Sequence, residues 1–302
     1  MLVWMAAVQL AVPLGLDAHV PAPTINPVRR ELALLGKRLF FDRGLSRNGT
    51  VSCATCHDPK YAFTDRVPRA IGIDKRQGAR RTPSILNRAW GRSFFWDGRT
   101  ATLEEQVLLP IGNPDEMDTT PAEAVARVRA SGDYPGLTVQ DMAYALATYV
   151  RTILAGDSPY DRYVRGDRSA LDEVQLAGLR LFRGKAGCGV CHVGANLTDE
   201  RFHNTGAGNG QDPGRWSVTR REEDRGAFKT PTLRQAALRP PYMHDGSLAT
   251  IEDVIEHYDK GGSPGTANLD PDIQPLRLTK EEKQSLAAFL RALSGVVKDG
   301  ME

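Results

Sequence analysis

Apolar residues recur along most of this chain at spacings of three and four, with polar capping residues just ahead of them. Asn26-Pro27 precedes Leu32, Leu35 and Leu39, so a helix is expected to open there. Thr120 and Glu123 form a capping box before Ala124, Val125 and Val128. Thr138 and Asp141 open a longer segment with Met142, Leu146, Tyr149, Val150 and Ile153 along one side. Leu171 to Phe182 reads as another helix. Thr250 with Asp253 and Thr279 with Glu282 open two more, the last carrying Leu286, Phe289, Leu290 and Leu293. Alternation at period two is scarce, and the chain is expected to be mainly α. Stretches 206–226 and 261–275, rich in turn residues, read as surface loops, and Ser158-Pro159 marks a boundary.

Composition changes this picture little. A length of 302 residues suits one or two soluble domains, and 39 basic against 37 acidic residues excludes a dedicated nucleic-acid binder. Leu2 to Leu16 is apolar, but no Lys or Arg precedes Arg29 and Pro13 interrupts the run. It makes a poor signal peptide and is too short for a membrane span, so residues 1–23 are read as a leader remnant or N-terminal extension.

The cysteines change it a great deal. All four fall in two copies of C-x-x-C-H: Cys53, Cys56, His57 and Cys188, Cys191, His192. This is the attachment signature of c-type haem: the thiols add to the two vinyl groups and the following imidazole reaches the iron. Two covalent haem c groups are expected, on two tandem cytochrome c-like domains over 24–158 and 159–302. Haem c is attached outside the cytoplasm, so a periplasmic location is expected. The sixth ligand of each iron then decides function. No histidine lies between His57 and His192, which leaves only Met117 and Met142 as local soft ligands and favours an open first iron. In the second half Ile251, Val254, Ile255 and Tyr258 share a helical face, and on residue type Tyr258, Met243 and His244 are all candidates.

From about Leu34 onward the sequence resembles the bacterial di-haem cytochrome c peroxidase family, and within it the MauG-like branch. The resemblance is carried by Leu35-Gly36-Lys37-Arg38-Leu39-Phe40-Phe41-Asp42, Phe95-Trp96-Asp97-Gly98-Arg99 and Pro241-Tyr242-Met243-His244-Asp245-Gly246, with both haem motifs in order. It implies that Trp96 lies between the haems as an electron or hole relay. It also implies that Gln106, Pro110 and Glu116 form the distal pocket of the first haem, with Glu116 as general acid and base toward hydrogen peroxide. Tyr258 would be the second ligand of the C-terminal haem beside His192, where many members carry methionine. Ile73 stands where many members place a closing histidine. The position of a surface tryptophan used by MauG to reach its protein substrate is Ala186. The family's inter-domain calcium would meet guanidinium-bearing residues, Arg81 and Arg239, together with Pro241, and these disfavour a dication. The resulting expectation is a peroxide-using enzyme that oxidises a protein partner at long range. A conventional peroxidase fed by a small cytochrome or cupredoxin, and a non-enzymatic di-haem electron carrier, are the alternatives.

Overall fold

The computed structural model describes residues 9–299, so residues 1–8 of the expected leader segment lie outside it. Six longer helices carry the fold: α1 Arg30–Phe41, α2 Pro121–Ala130, α3 Val139–Arg151, α4 Glu173–Arg183, α5 Ile251–Asp259 and α6 Lys280–Arg291. Short helical turns and two small antiparallel strand pairs complete a mainly α chain. All four expected capping boxes form, and Asp172 with Gln175 adds another at the head of α4.

The start of α1 departs from expectation. Arg29 holds its N-cap position without a side-chain bond. Asn26 is buried instead, donating to Glu104 Oε1 (2.6 Å) and the Tyr144 carbonyl (3.2 Å) and accepting from the Thr148 hydroxyl (3.1 Å). An amide that can cap a helix can equally bridge packed elements, and burial favours the use that satisfies its polar atoms.

α1 crosses α3 and α4 crosses α6 on the same plan. A Cβ on Gly36 would sit 1.9 Å from the Ala145 carbonyl oxygen, and one on Gly178 would sit 2.0 Å from that of Ser285. Only glycine lets either pair approach this closely. Around the first pair lies a hydrophobic core drawn from Leu39 to Ala155, and around the second a core drawn from Leu171 to Leu293.

Several segments lace the two cores together. The strand Val296–Lys298 returns to pair antiparallel with Leu154–Gly156, and the Tyr149 hydroxyl donates to Asp299. The N-terminal segment enters the same seam: Asp157 N–H donates to the Leu14 carbonyl (2.7 Å) and Arg234 Nη2 to that of Gly15 (2.9 Å). Stretch 206–226 is more than a bare loop. It contains the helical turn Trp216–Thr219, and Arg215 donates across the seam to the carbonyls of Asp97 and Gly98. Among the described residues no helix is long and apolar enough to cross a membrane.

Candidate functional site

Each C-x-x-C-H motif sits on a short helical turn, Cys53–Cys56 and Cys188–Val190. His57 Nδ1 lies 3.1 Å from the Phe63 carbonyl and His192 Nδ1 lies 3.0 Å from that of Leu197. Each Nδ1 therefore carries the proton, which leaves Nε2 as the metal-binding nitrogen. Phe63 (φ 56°) and Leu197 (φ 52°) are both left-handed, a conformation that bulky residues avoid, so local strain aims both carbonyls. Burial pushes both imidazoles below their ordinary pKa and keeps them in the neutral, ligating form. The four cysteines are unpaired, and burial pushes Cys53, Cys56 and Cys188 up to about 12, which favours their thiol form.

The motifs open on two cavities. The first, of about 810 Å³, is lined by Cys56, His57, Trp96, Gln106, Pro110 and Glu116, while Cys53 packs behind against the core. The second, of about 220 Å³, is lined by Cys188, Cys191, His192, Val254, Ile255 and Tyr258. Trp96 stands on both walls. Its indole N–H donates to the Arg81 carbonyl (2.8 Å), and its own carbonyl accepts from Lys229 N–H (2.8 Å). In return Arg81 N–H donates to the His244 carbonyl (2.7 Å).

This reciprocity reflects a repeat that motif spacing alone does not reveal. At one constant offset, Thr82-Pro83 matches Thr230-Pro231 and Trp96-Asp97-Gly98 matches His244-Asp245-Gly246. Phe94 bridges to Thr100 as Tyr242 bridges to Leu248, and Phe95 (φ 65°) is left-handed like Met243 (φ 72°). Continued by the same offset, Pro110 on the first cavity corresponds to Tyr258 on the second.

Glu116 Oε1 accepts from Asn113 Nδ2 (2.6 Å), and Ile73 N–H holds the Glu116 carbonyl (2.8 Å). Burial raises the Glu116 carboxyl above the ordinary range, a rise opposed by Asn113 and Arg99. Met117 and Met142 are buried in the first core and do not line its cavity, and Ile73 is likewise a core residue. Met243 and His244 line both cavities, His244 stacking on Phe228 with ring centroids 3.6 Å apart. His257 turns away to the Thr205 carbonyl (2.9 Å).

Sequence reasoning missed three features of these walls. His203 gives Nδ1 to Asp270 (2.6 Å) and Nε2 to Asp199 (2.9 Å), which holds it as an imidazolium beside the second cavity and spends both nitrogens. Buried Lys229 lines both cavities and is pushed down to about 7 by burial. Arg80 grips Asp212 through Nε (2.6 Å) and Nη2 (2.8 Å) and Asp97 through Nη1 (2.6 Å), so stretch 206–226 closes over the first cavity. Apart from His203 with Asp199, four residues away, these contacts join residues distant in sequence and no local pattern signals them.

Comparison with known proteins adds an independent line. The family model described as di-haem cytochrome c peroxidase matches residues 30–169. The chain is 42% identical to the methylamine utilization protein MauG of Methylorubrum extorquens, over 91% of this chain and 81% of that one. It is 33% identical to the cytochrome c551 peroxidase of Nitrosomonas europaea, over 91% and 83%. Among solved structures, a MauG-like protein associated with microbial copper homeostasis superposes with a TM-score of 0.84 at 33% identity, covering 96% of this chain and 95% of that one.

Proposed function

The chain belongs to the di-haem cytochrome c peroxidase family, in its MauG-like branch, and is a haem oxidoreductase of peroxidase type; from that premise we propose that it carries two covalent haem c groups, one per cavity. The residues present suit them: each motif supplies a pair of cysteines free of disulfides and a neutral histidine with Nε2 unspent. The two hydrophobic cores support a division into haem domains over 24–158 and 159–302.

The correspondence of Pro110 with Tyr258 carries the functional reading. Tyr258 lines the second cavity together with the His192 motif, and its phenol oxygen would hold the iron of a haem bound there. At the matching place on the first cavity stands Pro110, which has no donor atom, and neither methionine of that half reaches the wall. Met243 and His244 also line that cavity, but both are shared with the second one and His244 is stacked on Phe228, so the first iron would be the open one. Haem, when bound there, supplies the redox-active iron that meets hydrogen peroxide. Glu116 takes the proton from one peroxide oxygen and returns it to the other, the transfer that separates them. Asn113 holds that carboxylate in place, and Gln106 shares its wall. Trp96, common to both walls, connects the two sites.

We assign as partners hydrogen peroxide and a protein electron donor or protein substrate, met in the periplasm and without nucleic acid. Calcium does not fit. Arg81 Nη2 donates to the Arg239 carbonyl (3.0 Å), so a guanidinium already occupies the direction from which a dication would be bound. Electron paramagnetic resonance of the oxidised protein tests the reading and should show one high-spin and one low-spin haem. Two low-spin signals would overturn the open site. Tyr258→Met should alter only the low-spin signal, and an unchanged signal removes Tyr258 as a ligand. Fast multiple turnover with reduced cytochrome c would assign the chain to the conventional peroxidases instead.

A further inference from the structure

Buried arginines in this chain divide into two kinds. Arg88 meets Glu200 with both Nη atoms (2.6 and 3.0 Å), Arg151 meets Glu104 (2.7 and 2.9 Å), and Arg234 meets Asp161 (2.7 and 3.0 Å). Each is a bidentate ion pair, the usual condition for burying a guanidinium. Arg81 and Arg239 are as deeply buried, at 5% and 8% exposure, yet neither pairs with a described carboxylate.

Both are held by backbone oxygens alone. Arg81 donates to the carbonyls of Thr82 (3.0 Å), Asp65 (3.1 Å) and Arg239 (3.0 Å), and its Nε is buried without any partner. Arg239 donates through Nε to Gln235 (3.2 Å) and through Nη2 to Thr232 (2.6 Å) and Arg234 (2.9 Å), and Nη1 makes no bond among the described residues. The nearby Asp65 carboxylate is engaged by the Thr82 hydroxyl. Both arginines line the first cavity and neither lines the second. Two buried cations have between them one nearby carboxylate, Asp65, which acts on Arg81 across space, and the unspent Nη1 of Arg239 beside the cavity suits an anion with acceptor oxygens.

We infer that Arg81 and Arg239 form a cradle for the carboxylates of the haem that the first cavity would hold. The inference rests on the two-haem reading above, which pyridine haemochrome counting on the wild-type protein tests separately. Two haems per chain keep that reading, and fewer reject it whatever the arginines do.

The first test is spectroelectrochemistry of the high-spin haem in R81Q and R239Q. Losing a cation beside the carboxylates should move its reduction equilibrium at least tenfold toward the oxidised form, about 59 mV for one electron. Arg81→Lys and Arg239→Lys, which keep the charge, should recover most of that shift. Potentials unchanged in every variant would reduce the pair to structural bonding and overturn the inference. Should the glutamine variants fail to accumulate, the wild-type protein carries the test, with haem labelled with ¹³C at its carboxyl groups and followed by infrared absorption. A propionate in the cradle stays ionised at about pH 4, where a free carboxylate is half protonated. Complete protonation of the label there, or a potential that follows added inorganic phosphate, would overturn the assignment, the latter giving the pair to a free anion.

Discussion

In the proposed function Glu116 receives a proton and gives it up again, and its surroundings set the pH at which it can. The rate needs the ionised form, burial raises the pKa, and activity should therefore fall as pH drops through a value above the ordinary carboxylate figure of 4.5. Asn113 opposes that rise through its bond to Oε1, so Asn113→Ala should move the acid limb of kcat/KM for peroxide to higher pH. Glu116→Gln should lower kcat/KM about 10²–10⁴-fold and abolish the limb, while the haem spectra stay unchanged. A variant as active as the wild type would remove Glu116 from the chemistry. Steady-state peroxide kinetics across pH read both outcomes. The cysteines and histidines of the motifs were legible in the sequence because their chemistry fixes their spacing. Arg80 and Lys229 were not, since a buried cation looks like any surface one until its neighbours are known.

Among the helices, the two glycine crossings invite the most direct test. Gly36→Ala and Gly178→Ala each place a methyl group against a backbone carbonyl, and each should destabilise the chain by about 1–3 kcal/mol. Denaturant midpoints measure this, and midpoints equal to wild type would mean that the helices separate at little cost. Capping boxes were legible because a cap is a local agreement between residues three apart. Asn26 misled because it satisfies the same local rule and was recruited by α3 and Glu104, which no local rule describes. The repeat relating Trp96 to His244 and Pro110 to Tyr258 was hidden for another reason. The haem motifs stand at a different interval from the other matched pairs, so aligning the halves on Cys53 and Cys188 puts everything after them out of register.

At the scale of the whole molecule, the two halves share one local plan around their cavities, matched at a few positions and different at most others. Where one half has a tyrosine oxygen the other has a proline, and where one has an indole the other has an imidazole. Trp96→Phe separates the indole's two roles, spanning the walls and satisfying the Arg81 carbonyl. If it connects the sites, the variant keeps both resting haem spectra, yet the response of the second haem to peroxide slows about tenfold or more, a barrier increase of about 1.4 kcal/mol. Stopped-flow absorbance resolves this, and a response at the wild-type rate would show that the sites communicate by another path.

The reciprocal bonds from Arg81 to His244 and from Lys229 to Trp96 have a mechanical consequence as well. Two domains in one chain ordinarily rock against each other. Here Trp96 is tied through its own peptide to the opposite half, and the terminal strand and N-terminal segment stitch the same seam. With Trp96 as the proposed relay, the tunnelling gap would be fixed by the backbone, and thickening the solvent with glycerol should leave the internal transfer rate as fast as it is in water.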